Sequence, residues 1–357
     1  MENAVFAFAL QGTPVSCREF GSGHINTTYH VVTDAGKAYI LQRINHYVFK
    51  NPQQVMDNVC AVTEYLRRRE TDPRKTLHFL PALDGGNCHR DEDGNYWRMY
   101  DFVPGFCLDL PRNNEDFYQS AKAFGSFQEK LAAYPAETLH ETIPNFHNTP
   151  DRYRQFRASV EADSLGRLAD VGEDVAFLLE QEELASRLQE MLEAGDLPLR
   201  VTHNDTKLNN VLLDAETGEP LCVLDLDTVM PGLSAYDFAD SIRFGAATAA
   251  EDEKDLSKMH LDLEKFRVYT QGFLEAAPSL TELEVENLPL GALTLTLEQA
   301  TRFLKDHLDG DLYFKAAYPG HNLVRARTQI KLAREMLEKM PEMQRITREL
   351  ARQIRGK

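Results

Sequence analysis

The octet HNDTKLNN, residues 203–210, sets a histidine, an aspartate, a lysine and two closing asparagines among apolar runs. His203, Asp205 and Asn210 stand in the spacing H-x-D-x-x-x-x-N. A carboxylate and a carboxamide so placed suit phosphoryl transfer. One takes or orients an acceptor hydroxyl, and the other helps hold a divalent ion on the phosphates. Singly, Asp205 and Asn210 would pass as turn residues and Asp225 as a strand end. Their combination, with Asp225 closing the apolar run VLDLD one hairpin after the octet, points to chemistry.

The segments NVLLD and LCVLDLD, joined by AETGEP, predict that hairpin. With Asp214 opposite Leu221, Asn210 faces Asp225. Opposed residues have Cβ atoms roughly 4.5–5.5 Å apart. An amide oxygen and a carboxylate at that separation can share a small hard cation such as Mg²⁺. Asp205, on the loop just before, is expected within reach of the same point. The segment YDFADS supplies Asp237 and Asp240, expected to brace this loop from a helix start and not to bind metal.

A second feature lies near the N-terminus. The stretch TPVSCREFGSGHINTTYHVVTDAGKAYILQRIN contains three β-rich runs, the first two meeting at Gly21-Ser22-Gly23. Gly21 and Gly23 would let backbone amides approach phosphate oxygens, although a plain hairpin turn would also use them. His24 and Asn26 at this tip are placed to reach a substrate or the γ-phosphate.

These residues need a sheet and a set of helices to hold them. After the three strands, NPQQVMDNVCAVTEYLRRR has helical spacing in Val55, Val59, Val62 and Leu66, and NYWRMYDFVPG reads as a strand ending at Pro-Gly. At 357 residues the chain exceeds one compact domain, so two lobes are expected. The boundary falls near residues 102–105, giving a nucleotide-binding lobe over 1–103 and a catalytic, substrate-binding lobe over 104–357. The second lobe is mainly helical. Phe117, Ala121, Phe124 and Leu131 share one helix face, and EDVAFLLEQEELASRLQEMLEAG reads as a helix ending at a glycine cap. The fold class is therefore α+β.

Composition narrows the partners. With 43% apolar and 27% charged residues the chain has a globular make-up, and a net charge of −17 repels nucleic acid and anionic membranes. Residues 324–357 carry ten Lys or Arg against four Glu, a tail of +6 on a body of −23. Leu323, Ile330, Met336 and Met340 recur there as a buried stripe would, so two amphipathic helices broken near Pro341 are expected. The run AAEDEKDLSKM reads as a solvated face. The five cysteines are scattered, which excludes a disulfide framework and a zinc site. The N-terminus, MENAVFAFALQGTPVS, lacks the basic start and long apolar stretch of a signal peptide, and a cytoplasmic location is expected.

The octet and VLDLD resemble the catalytic loop and the metal-binding Asp motif of the aminoglycoside phosphotransferase and choline kinase group, relatives of protein kinases with a two-lobed fold. GHINTTY, VTHNDTKLNN, DLDTVMPG, DSIRFGA, EDEKDLSK and HNLVRARTQIKL resemble, more narrowly, the anomeric sugar kinases within it. The resemblance implies ATP as co-substrate, Mg²⁺ as metal and N-acetylhexosamines phosphorylated at the anomeric hydroxyl. It implies Asp205 as catalytic base, Asn210 and Asp225 as metal ligands, and adenine held near Tyr100, Asp101 and Val103. Sugar contacts would come from His24, Arg302 and Tyr313 as well as Asp205.

One departure stands out. Kinases carry a phosphate-holding lysine on the third strand, where AYILQRIN offers Gln42 or Arg43. Alternation puts Ile40, Gln42 and Ile44 on one face and Leu41 and Arg43 on the other, so only one can face a nucleotide. The competing readings are a kinase of another small alcohol, such as an aminoglycoside or choline, and a nucleotide-binding regulatory protein that has lost its clamp.

Overall fold

The structure is a computed structural model that describes residues 2–21 and 25–356. The chain forms two compact units. Unit 1 comprises Met1–Cys107, Ala133–Pro144 and Asn210–Pro231; unit 2 comprises Leu108–Ala132, Asn145–Asn209 and Gly232–Lys357.

Unit 1 is built on an antiparallel sheet of β1 (Pro14–Glu19), β2 (Thr27–Thr33), β3 (Ala38–Ile44), β4 (Phe79–Leu80), β5 (His89–Arg90) and β6 (Tyr96–Asp101). The order is β1-β2-β3-β6-β4, with β5 also on β6. Strand alternation sends Val31, Tyr39, Leu41, Trp97 and Met99 to one face, where they form a core with Ala4 and Val5 of α1 (Glu2–Val5) and with Phe8. Cross-strand pairing puts Thr28, Gln42 and Arg98 in a single row on the other face.

The helix α2 (Pro52–Arg67) forms over the segment with the expected helical spacing. The Asn51 side chain caps it by accepting from Gln54 N–H, and Pro52 occupies the first turn. Its apolar face buries Val55, Val59, Val62 and Leu66, each stabilising by roughly 1.5–3 kcal/mol. Asn58 on this helix ties the unit's three segments together. Its amide donates to His140 O at 2.8 Å and Val229 O at 2.9 Å, and its oxygen accepts His140 N–H at 2.8 Å.

The expected hairpin forms from β8 (Val211–Leu213) and β9 (Pro220–Val223), and β10 (Met230–Gly232) carries the chain onward. Its register differs from the expectation. Val211 pairs with Val223 and Leu212 with Cys222, with a shift before Leu213, which meets Pro220. Asp214 accordingly meets Glu219, not Leu221, and the residue opposite Asn210 is Leu224, not Asp225: Leu224 N–H donates to Asn210 O at 2.8 Å. The cause is the turn. The Asp214 carboxylate accepts the N–H groups of Glu216 and Thr217, drawing the loop shorter than simple strand counting allows.

Unit 2 is helical, with the short strand β7 (Arg200–Thr202). Its helices are α3 (Asn114–Lys130), α4 (Thr149–Ala162), α5 (Gly172–Glu180), α6 (Glu182–Glu193), α7 (Ser234–Gly245), α8 (Leu263–Ala276), α9 (Glu282–Glu286), α10 (Leu288–Asp309) and α11 (His321–Arg355). α10 is buried over most of its surface and forms the centre of the unit. α3 and α8 approach closely because Gly272 faces α3: a Cβ there would lie 2.7 Å from Tyr118 O.

Two helical expectations change. The segment read as one helix after Gly172 is two, α5 and α6, parted at Gln181. The basic tail, expected as two helices, is one 35-residue helix with Pro341 inside it. Pro341 is exposed, so water can take the carbonyl bond that its ring cannot supply. Among the described residues, no helix is long and apolar enough to cross a membrane. All five cysteines are free thiols; Cys88 and Cys222 are buried and Cys107 is exposed.

Candidate active site

Unit 2 carries Asp205. β7 runs into His203, which is fully buried against the rings of Phe124 and Phe127 at 5.5 and 6.0 Å. The chain then turns sharply at Asn204, whose φ of +64° lies in the left-handed region that asparagine tolerates. That turn is held from α7. The Asp237 carboxylate accepts His203 N–H at 2.9 Å, Asn204 N–H at 2.8 Å and the Gln128 amide at 2.8 Å. Asp240 accepts Thr206 N–H at 3.1 Å, and the Thr206 hydroxyl donates to Asp237 O at 2.6 Å. Both aspartates therefore brace the loop, as their place in the sequence leads one to expect.

Asp205 itself is half-buried, and Lys207 Nζ lies 2.6 Å from its Oδ1. Burial opposes the Lys207 charge, yet Asp205 and Asp240 outweigh it and hold the ammonium above the usual lysine range. Burial likewise works to raise Asp240, but Arg243 and Lys207 hold it below the carboxylate range. Burial pushes Asp237 up, against the pull of His203 and its donors. Lys207 went without a role in the sequence reading, although its place two residues after Asp205 was a usable signal.

The residues expected to contact an acceptor, Arg302 and Tyr313, also lie in unit 2. Arg302, half-buried on α10, sits 5.6 and 5.5 Å from the ring centres of Phe146 and Phe314. Tyr313 is 71% exposed, on a loop that begins at left-handed Asp311. Buried Asp306 pins that loop by accepting the N–H groups of Leu312, Tyr313 and Phe314 at 2.8–2.9 Å. Phe314 links the two, stacking edge-on with Tyr313 at 4.8 Å.

Arg152 of α4 was not anticipated. It donates to Phe146 O, and burial followed by the nearby Arg302 charge pulls its pKa down. Glu298 opposes that shift, and its carboxylate bonds His147 at 2.9 Å and Thr149 at 3.0 Å.

Unit 1 carries the metal and nucleotide candidates. Asn210 is buried at the end of a short 3₁₀ turn (Leu208–Asn210), while Asp225 is exposed with a φ of +52°. The Leu224–Asn210 bond leaves Asp225 one residue beyond the position opposite Asn210. A carboxylate and a carboxamide are hard oxygen donors that suit Mg²⁺, which keeps several waters and takes the rest of its shell from phosphates. The pair therefore fits the metal that the motif implies.

Gln42 and Arg43 separate as alternation requires. Gln42 lies in the row with Thr28 and Arg98, on the α2 side; Arg43 is exposed on the opposite side and donates to Thr27 Oγ1 at 3.2 Å. Tyr100 shares the Gln42 face, and burial, with the charges of Asp225 and Asp227, pushes its hydroxyl far above the usual range against the pull of Arg98. Asp101 accepts from His78 Nδ1 at 2.7 Å, its N–H donates to His78 O, and Val103 follows in the segment leaving β6. Gly21 adopts a φ of +78° with open space around it. Ser22, Gly23 and His24 lie outside the described residues.

Arg98 and Asp227 escaped the sequence reading. They form a buried ion pair across 129 residues of chain, too far apart for any local pattern to mark.

Solved structures share this architecture. An amicoumacin kinase in complex with AMP-PNP and Ca²⁺ is 14% identical, with a TM-score of 0.61 over 92% of this chain and 91% of that one. A microcompartment-associated aminopropanol kinase is 16% identical, with a TM-score of 0.62 over 96% and 97%. Choline kinase from Cryptosporidium parvum is 14% identical, with a TM-score of 0.53 over 94% and 91%. At these identities the likeness is one of fold, the kinase-like α+β architecture with an antiparallel N-terminal sheet and a helical C-terminal part. Residues 16–269, which include the braced loop of Asp205 and both metal candidates, match the model of the phosphotransferase enzyme family (APH), and the chain belongs to that family.

Proposed function

We propose that this phosphotransferase is an N-acetylhexosamine 1-kinase, which moves the γ-phosphoryl group of ATP to the anomeric hydroxyl of N-acetylglucosamine or N-acetylgalactosamine. The observation that carries the choice of acceptor is Arg302 beside the rings of Phe146 and Phe314, with the Arg152 guanidinium bonded to the Phe146 carbonyl. A guanidinium group beside aromatic rings, with a second guanidinium near it, repels an ammonium and suits the oxygens and apolar faces of an uncharged sugar.

In this reading Arg302 and Tyr313 hold the sugar, with His24 from the glycine tip. Asp205 accepts the proton of the anomeric hydroxyl as that oxygen bonds to the γ-phosphorus and the bond to the ADP oxygen breaks. Lys207 Nζ, 2.6 Å from Asp205 Oδ1, holds the carboxylate in place. Asn210 and Asp225 would hold Mg²⁺, which supplies neutralising charge to the phosphate oxygens when bound. Gly21 and Gly23 would line the phosphates, Gln42 would take the place of the clamp lysine, and Tyr100, Asp101 and Val103 would border the adenine.

The second reading, a kinase of an aminoglycoside, choline or a similar amino alcohol, is favoured by the aminopropanol and choline kinases that share the fold and by the net charge of −17. An ADP-release assay against a panel of free sugars, a panel of amino alcohols and aminoglycosides, and no acceptor separates the two. Sugar-dependent release is expected, with phosphorus coupled to the anomeric proton in the NMR spectrum of the product. Phosphate on the 6-hydroxyl, or turnover of aminoglycosides alone, would overturn the proposal.

A further inference from the structure

On the α2 side of the unit 1 sheet, three neighbouring strands present one polar row: Thr28 on β2, Gln42 on β3 and Arg98 on β6. Gln42 stands where kinases carry a lysine, and it is neutral. The cation is one strand over. Arg98 is 2% exposed; its Nε donates to Gln42 Oε1 at 2.9 Å and its Nη1 donates to Asp227. Gln42 donates in turn to Thr28 Oγ1 at 3.0 Å. The second oxygen of Asp227 accepts from Asn26 Nδ2 at 2.7 Å, and Asn26 Oδ1 accepts Asn45 N–H at 3.0 Å.

Stability alone is a weak reason for such a pair. Desolvating two charges commonly offsets their attraction, and apolar side chains of the same volume often do as well. The placement offers a better reason. Asp227 sits two residues beyond Asp225, on the short turn Leu226–Thr228. Asn26 sits just ahead of β2. One carboxylate is thus tied to β6 through Arg98 and to the entry of β2 through Asn26.

We infer that Arg98 and Asp227 are a positioning pair that sets Asp225 for a metal–nucleotide complex. In this chain they do the organising work that a strand lysine and a helix carboxylate do in kinases. Arg98 is too enclosed to reach a phosphate and acts through Asp227 and Gln42. The inference rests on the reading of Asp225 as a metal-side carboxylate.

The test uses Arg98→Met, Arg98→Lys, Asn26→Ala and the double variant Arg98→Met/Asp227→Asn, which leaves no unpaired buried charge. Melting temperature, calorimetric titration with AMP-PNP with and without Mg²⁺, and the Mg²⁺ dependence of turnover are measured for each. The double variant is expected to melt near wild type, yet to bind Mg·AMP-PNP about tenfold more weakly and to need more Mg²⁺ for half-maximal rate. Arg98→Lys should regain part of the affinity, and Asn26→Ala should lose affinity without losing the fold. Wild-type affinity and Mg²⁺ requirement in the double variant, or in Asn26→Ala should the double variant not fold, would overturn the inference alone. A wild-type protein that binds AMP-PNP equally with and without Mg²⁺ would overturn the reading of Asp225 as well, so the two failures are distinguishable.

Discussion

The carboxylate of Asp237 and the backbone of Asn204 are joined at 2.8 Å, and the same carboxylate takes His203 N–H at 2.9 Å. A single buried side chain on α7 thereby sets the turn that presents Asp205. Asp237→Ala would leave two amides and the Gln128 amide without their acceptor. A loss of about 3 kcal/mol in denaturant unfolding is expected. Asp237→Asn, which keeps one acceptor oxygen, should lose less, and equal unfolding midpoints for wild type and Asp237→Ala would contradict this account.

Asp205→Asn keeps the shape of the side chain but cannot accept a proton. Turnover should fall by roughly two to four orders of magnitude, while calorimetry shows unchanged Mg·ATP affinity. A defect confined to nucleotide binding would rule out the base assignment.

Gln42 shares a face with Arg98, and Arg43 does not. Gln42→Ala should therefore raise the apparent KM for ATP by about tenfold, a change of roughly 1.4 kcal/mol, with Arg43→Ala close to wild type. Steady-state kinetics on both variants decides the matter; the reverse order would place the clamp on the other face of β3.

Glu298 gives stability a pH dependence. Burial works to raise its pKa, but His147, then Arg302 and Arg152, hold it below the ordinary glutamate range. A carboxyl that is more acidic folded than unfolded stabilises fully above its unfolded pKa, about 4.3. That contribution is lost as pH falls through the folded value. Glu298→Gln should melt well below wild type at pH 7, by roughly 2 kcal/mol, and the gap should narrow below about pH 4. A gap that stays constant from pH 7 to 3 would show that charge plays no part.

Much of this protein was written locally. The period of Val55, Val59, Val62 and Leu66 and the cap at Asn51 specify α2 without help from the rest of the chain, because a helix face repeats within a few residues. Strands β1 to β3 follow from period-two alternation, and the octet marks a candidate site because Asp205 and Asn210 are close in sequence. The tertiary structure decided what depends on exact turn geometry or on distant partners. The Asp214 turn moved Asn210 from Asp225 to Leu224, since a change of one residue in a loop shifts every pair in the hairpin. Pro341 failed to end its helix because an exposed carbonyl can turn to water, which local propensity does not foresee. The Arg98–Asp227 pair and the meeting of Arg152 with Arg302 join residues more than a hundred positions apart. A buried charge is tolerated only where its partner arrives, and the sequence around each residue contains no trace of the other.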